Sequence, residues 1–216
     1  MKKNSEIRGA LCILVAALMC LSLASCGAKW EKDEIKSALG DLLPKSFELN
    51  EIYFGQGLPV SGDAELTREF FDSFESDVKA ANYAPVDEEC GYTSVEEIKS
   101  ATLEVFTAEY SEYLFTRAFV GISAVYNEGS DAEESKIVSY AMYMEQNGIL
   151  TVRLDIADDA LPIGREYDVD KLEIVRQGKD FVIAAVPTRS ENGEEFTVRL
   201  KLVMTDDGWR LDTPTY

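Results

Sequence analysis

Apolar positions recur along this chain with two different periods, and the change between them falls near residue 136. In the first half the spacing is helical. Ile35, Ala38, Leu39, Leu42 and Leu43 form one stripe, which predicts an amphipathic helix over residues 30–43 closed by Pro44. In the following stretch Phe47, Leu49, Ile52 and Phe54 share no single period, and Gly55, Gly57 and Pro59 interrupt the chain. A short strand running into a loop is expected there. Leu66, Phe70, Phe74 and Val78 stand four apart and predict a second helix over 65–81. Ser94-Val95-Glu96-Glu97 has the form of a capping box and opens a long helix through Ile98, Leu103, Val105, Phe106, Tyr110, Tyr113, Leu114 and Phe119. This is expected to be the most buried helix, with Thr107 placed to cap a second segment after a break. Residues 126–135 are polar and read as a loop.

After Lys136 the period drops to two. Asn147-Gly148 separates two apolar runs and is a strong hairpin signal. Gln177-Gly178-Lys179 and Asp206-Asp207-Gly208 mark two more turns. Phe196, Val198, Leu200, Leu202 and Met204 alternate with Thr197, Arg199 and Lys201, as in a strand with one face on a core and one in water. Helices followed by strands predict an α+β fold: N-terminal helices packed on a curved, mostly antiparallel C-terminal meander of about six strands.

The N-terminus has a different character. Lys2, Lys3 and Arg8 precede an apolar run from about Gly9 to Ala24, shorter than the roughly 20 residues a membrane span needs. A basic start and a run of this length read as an export signal. Its end, Leu23-Ala24-Ser25-Cys26, resembles the lipobox of bacterial lipoproteins. That resemblance implies a diacylglyceryl group on the Cys26 thiol and cleavage just before it. Two acyl chains make a stable anchor, each buried methylene contributing about 0.8 kcal/mol. The expected organisation is a signal peptide over 1–25, an anchor and tether over 26–30 and a single domain over 31–216. The expected location is the extracytoplasmic face of a bacterial membrane.

Composition narrows the functional classes. The chain carries 40 acidic and 21 basic residues, a net charge of −19, and no histidine. Without residues 1–25 the balance becomes −21, from 39 acidic and 18 basic residues. So negative a chain is unsuited to phosphate backbones, and to anionic headgroups without a lipid of its own. Residues 26–149 hold 25 acidic against 9 basic residues, and 150–216 hold 14 against 9. Cys12 and Cys20 lie in the leader and Cys26 is committed to lipid. Cys90 is then alone, rules out an internal disulfide, and is expected to be structural.

The helix-then-meander order, with the ending Asp207-Gly208-Trp209-Arg210-Leu211, is similar to the cone-shaped nuclear transport factor 2-like superfamily over most of residues 94–216. Residues 42–60 and 82–86 are also similar to lipoproteins of clostridia-like bacteria that have no assigned function. Some enzymes of the cone-shaped class resemble ketosteroid isomerases, with an acid/base carboxylate and a tyrosine donor in an apolar cavity. That resemblance implies a candidate pocket from Tyr110, Tyr113, Tyr140, Glu109 and Asp155.

Without histidine, Ser-His and Cys-His nucleophilic systems and the usual zinc sites are excluded. No phosphate-binding glycine loop is present, so no nucleotide cofactor is expected. Asp155, Asp158 and Asp159, and Glu128, Asp131, Glu133 and Glu134, lack calcium-loop spacing and read as solvated acids, so no metal is expected. Tyr140, Met142 and Met144 at strand spacing are expected to be core. The candidate recognition loop is Gly55, Gly57, Leu58 and Pro59, an apolar tip between glycines that either faces a partner or folds back on the core. The expectation is a membrane-tethered, non-catalytic binding or assembly module, with a cell-surface protein or small ligand as partner. The alternative is a small-ligand carrier or an enzyme using the carboxylate–tyrosine pocket.

Overall fold

A computed structural model of the chain describes residues 29–62, 83–120, 122–126, 135–139 and 141–216. The leader, Cys26, Tyr140 and the helix predicted over 65–81 lie outside the described residues. Helix α1 spans Lys32–Phe54, α2 Val95–Val105 and α3 Ala108–Phe115, the last followed by a π-helical turn at Thr116–Val120. Strands β1 (Tyr83–Pro85), β5 (Ile149–Arg153) and β4 (Tyr143–Gln146) form one sheet in that order. Strands β2 (Ile122–Tyr126) and β3 (Ser135–Ser139) pair separately. The main sheet runs β10 (Gly208–Leu211), β9 (Glu195–Thr205), β8 (Phe181–Ser190) and β6 (Arg165–Tyr167), with β7 (Glu173–Gln177) also on β8. It is antiparallel and curls into a half-barrel.

The α+β architecture with helices on a curved antiparallel sheet is therefore present, with the strands divided among three sheets. Along β8, one edge is taken by β9. The other is shared by β7, against Val182–Ala185, and β6, against Thr188–Ser190. Pro187 sits where the partner changes. Its missing N–H falls in the gap, while its carbonyl accepts the Asp168 N–H at 2.8 Å.

Helix α1 corrects two expectations. It does not stop at Pro44 but runs ten residues further, so the expected strand at 47–54 is helix. It also buries eleven residues against three for α2, so it, not the capping-box helix, is the most buried. The stripe Ile35, Leu39, Leu42, Leu43, Ser46, Leu49, Asn50 and Tyr53 keeps helical spacing across the proline. Pro44 has no N–H to give the Gly40 carbonyl, but both residues are exposed, where solvent is at hand. A mid-helix proline costs about 3 kcal/mol. One buried leucine contributes about 1.5–3 kcal/mol, so the stripe outweighs the break.

The capping box forms, with a shift. Ser94 Oγ accepts the Glu97 N–H at 3.2 Å, but the Glu97 carboxylate reaches back to the Thr93 N–H, at 2.7 Å. The break at Thr107 is real. Its side chain accepts the Tyr110 N–H at 3.3 Å and its own N–H donates to Leu211 O at 2.8 Å. Asn147 (φ 53°) and Gly148 (φ 80°) both take the left-handed conformation that the tight β4–β5 hairpin demands.

One hydrophobic cluster joins α1 to the inner face of the main sheet. Leu39 and Leu43 share it with Val182, Ala184, Val186, Leu200, Leu202 and Leu211. Around Leu39 and Leu43, α1 and the sheet are packed together by the chain's own side chains. No helix among them is long and apolar enough to cross a membrane. The β10 ending ties the layers together. Trp209 Nε1 donates to Glu34 at 3.1 Å, Trp209 packs edge-on to Trp30, and Arg210 Nε donates to Leu103 O at 2.9 Å.

Candidate functional site

The expected recognition loop is latched rather than free. Tyr143, at the start of β4, is fully buried, and its hydroxyl donates to Ile52 O at 2.9 Å while accepting the Leu58 N–H at 3.0 Å. Leu58 is buried in the core, whereas Pro59 and Val60 are exposed. Gly57 has φ 78°, and a Cβ there would lie 3.1 Å from the Tyr143 hydroxyl, so this position requires glycine twice over. Gly55, buried, closes α1 by donating to Asn50 O and Glu51 O. Of the two courses open to this loop, the apolar Leu58 takes the inward one.

Of the candidate pocket residues the structure brings Tyr110 and Tyr113 together on α3, with ring centroids 6.3 Å apart. Tyr110 is half-buried and packs on Phe106, with ring centroids 5.0 Å apart, and burial raises its hydroxyl above the usual tyrosine range. Tyr113 is 53% exposed, and Glu109 lies on the exposed side of α3. Asp155 is exposed beyond β5 and ion-paired with Arg153. Tyr140 lies outside the described residues, while Met142 is buried, as expected of core.

Burial also raises Tyr92, Tyr167 and Tyr216, and it raises Tyr53 and Tyr143, whose hydroxyls are already committed. Tyr53 shares a 2.8 Å hydrogen bond with Thr102 Oγ1, joining α1 to α2. Phe119 lies between them, at 6.3 Å from each ring. A hydroxyl held between fixed backbone groups is a structural clamp, since an unmet buried partner would cost about 1–3 kcal/mol.

A groove of about 610 Å³ opens between α1 and the end of the main sheet, beside the Pro187 gap. Lys36 and Gly40 form its helical wall, and Tyr167, Asp168, Arg189 and Phe196 lie on the sheet side. Its cations are paired. Lys36 Nζ is 3.3 Å from Asp170, Lys171 Nζ 2.6 Å from Asp168, and an Arg189 nitrogen 2.9 Å from Glu195. Lys171 holds the Asp168 carboxyl below its ordinary range, and Glu195 raises Arg189. Glu166 is the fourth carboxylate of the lining, leaving one negative charge in excess of the three cations. Gly40 widens the groove, because a Cβ there would meet nothing within 4 Å.

Sequence reasoning did not single out this groove. It is assembled from α1, the β6–β7 connection, β8 and β9, which are far apart in the chain and carry no local motif. The one available signal was Pro187 inside a strand pattern, since proline interrupts a ladder. Among the described residues, no group of three or more acidic or cysteine side chains is arranged to hold a metal ion. Compared with family models and with curated proteins, the chain matches none.

Proposed function

We propose that this protein is a membrane-tethered, extracytoplasmic lipoprotein that acts as a non-catalytic binding module, with the α1–β6–β8 groove as its binding site. The observation that carries this reading is the groove itself: concave, lined by charged side chains, with one carboxylate in excess and an unfilled wall at Gly40. Such a lining suits a polar ligand bearing a positive group, either a basic peptide segment or a small amine. The Leu23-to-Cys26 lipobox supports the anchor, and the helix-and-sheet order supports kinship with the cone-shaped superfamily. The placement of Glu109 and Asp155 at the surface favours binding over the carboxylate–tyrosine enzyme reading.

The anchor is tested by metabolic labelling of the full chain with a clickable fatty acid. Label and membrane retention are expected in the native protein and in neither respect in Cys26→Ala; labelling that survives this substitution refutes the anchor. The groove is tested by titrating the protein with lysine-containing pentapeptides and with spermidine. Binding is expected to exceed that of glutamate-containing pentapeptides and to be lost in Gly40→Trp, which fills the wall. Equal binding of acidic and basic peptides, or none, overturns the assignment.

A further inference from the structure

The two edges of the main sheet are finished differently. The β7 edge is interrupted by a register shift between Ile174 and Arg176, and Gln177 at its end accepts the Trp30 N–H at 2.9 Å. Bulges and covering contacts of this kind keep an edge from pairing with another chain. The opposite edge is protected only in part. Strand β10 covers Leu202–Thr205 of β9, and Lys201 is met by the segment after β10, through Asp212 N–H on its carbonyl and Thr213 Oγ1 on its N–H.

From Glu195 to Arg199 that edge is free of bulge and proline, and no strand among the described residues pairs with it. The β8–β9 register is continuous there, and Glu195, Phe196, Thr197 and Arg199 are exposed. The phase of the backbone is fixed by two observations. Lys201 directs both of its groups away from β8, so by alternation Thr197 and Arg199 do the same, and Glu195 with them. Pro187, opposite Thr197, turns its carbonyl away from β9 to Asp168, as that phase requires. Among the described residues, no group answers these outward N–H and C=O groups.

The sequence of this edge, Glu-Phe-Thr-Val-Arg, is complementary to itself in the antiparallel sense. Placed about a two-fold axis at Thr197, each copy's Thr197 faces its equivalent as a hydrogen-bonded pair, and Glu195, which also holds Arg189 of its own chain at 2.9 Å, faces Arg199 of the second copy on both sides of the axis. Phe196 then meets Val198 of the second copy on the other face of the sheet. Hydrogen-bond phase, charge and apolar contact are satisfied by the same register, the condition for an isologous interface. Arg199 has no carboxylate partner among the ion pairs of the described residues, although the chain holds 40 acids.

We propose that two copies of this chain associate edge to edge through Glu195–Arg199 of β9, joining their main sheets into one. Both the occupant and its register are specified by that stretch, which shares Glu195 and Phe196 with the lining of the groove and does not involve the anchor. Five residues a side make a weak contact in solution; copies confined to one surface would populate it more fully.

The test is sedimentation velocity of the full chain in nonionic detergent, at a micelle excess that separates copies held only by lipid. A concentration-dependent dimer is expected. Arg199→Glu replaces both attractive pairs with like charges and should raise the dissociation constant roughly tenfold or more. Thr197→Pro removes the central donor at an edge position and should abolish the dimer. The double exchange Glu195→Arg with Arg199→Glu restores opposite charges across the axis and should restore the dimer. Circular dichroism of each variant separates loss of association from loss of fold. A monomer at every concentration overturns the proposal, as does a dimer unmoved by Arg199→Glu and Thr197→Pro. Failure of the double exchange, in a folded protein, overturns the register and with it the proposal.

Discussion

Thr215, next to last in the chain, is fully buried and works through a chain of three hydrogen bonds. Asn50 Nδ2 donates to Thr215 Oγ1, Thr215 to Ser46 Oγ, and Ser46 to Leu43 O, each at 2.8–2.9 Å. Every hydroxyl in it both gives and accepts, so the buried polar atoms are satisfied at no net penalty. Thr215→Val keeps the shape but leaves Asn50 without an acceptor and Ser46 without a donor. A loss of about 1–3 kcal/mol is expected in urea denaturation, set by the stranded partners and not by the missing bond alone. Ser111 is the opposite case. It is fully buried in α3, and its hydroxyl finds no partner among the described residues. Ser111→Ala should therefore be neutral or stabilising by up to about 1 kcal/mol, since alanine is also the better helix former. If the two substitutions cost the same, hydrogen bonding does not distinguish these sites. The Tyr143 hydroxyl belongs with Thr215: Tyr143→Phe unlatches Leu58 and Ile52 together and should cost a similar amount.

The same residues explain why α1 was only half legible. Its stripe is legible as far as Leu43 and not beyond, because Ser46 and Asn50 occupy core positions with polar side chains whose partner, Thr215, is far along the chain. Pro44 then read as a stop, where tertiary burial overrides it. Elements whose signals are local were legible: the Ser94 cap, the Thr107 break, the Asn147-Gly148 turn and the alternation of β9. That alternation overstated the core at one end, since Leu200 and Leu202 are buried but Phe196 is 39% exposed, lining the groove with the Arg165 guanidinium over its ring. The groove was not legible at all, being a property of how four segments meet. At this scale the expected outcome concerns the helix backbone. Gly40→Ala should stabilise the protein by about 0.5–1 kcal/mol, because the added Cβ meets open space and the unfolded chain loses freedom. Pro44→Ala should add about 1–3 kcal/mol by supplying an N–H toward the Gly40 carbonyl. A melting temperature lowered by either substitution would mean that a kink in α1 is required for its packing.

For the molecule as a whole, charge and burial act together at high pH and against each other at low pH. Tyr53, Tyr110 and Tyr143 are held neutral by burial, their folded titrations raised above the ordinary value of 10. Their contribution is fully present below about pH 10 and is lost as pH rises further, because the unfolded chain releases those protons first. Lys201 and Lys171, raised by Asp212 and Asp168, act in the same direction as they lose charge. Each step also adds negative charge to a chain already at −19, so self-repulsion reinforces the loss. On the acid side Glu97 and Asp168 are held below the usual carboxylate range, by Thr93 and by Lys171 respectively. Their contribution is present above the carboxylate range and fades as pH falls through it, but protonation of the other acids relieves the repulsion and offsets this. The expected profile is therefore asymmetric: level from about pH 6 to about pH 9, steep above about pH 10 and shallow in acid. Added salt should raise the alkaline limb most, since screening acts on the repulsion between exposed charges. Tyrosinate absorbance followed alongside far-ultraviolet circular dichroism gives the decisive reading. Tyr53, Tyr110 and Tyr143 should ionise only as the helical signal collapses, with Tyr92, Tyr167 and Tyr216 also above the ordinary range; ionisation of all ten near pH 10 with the fold intact would show that these hydroxyls are not held by the core.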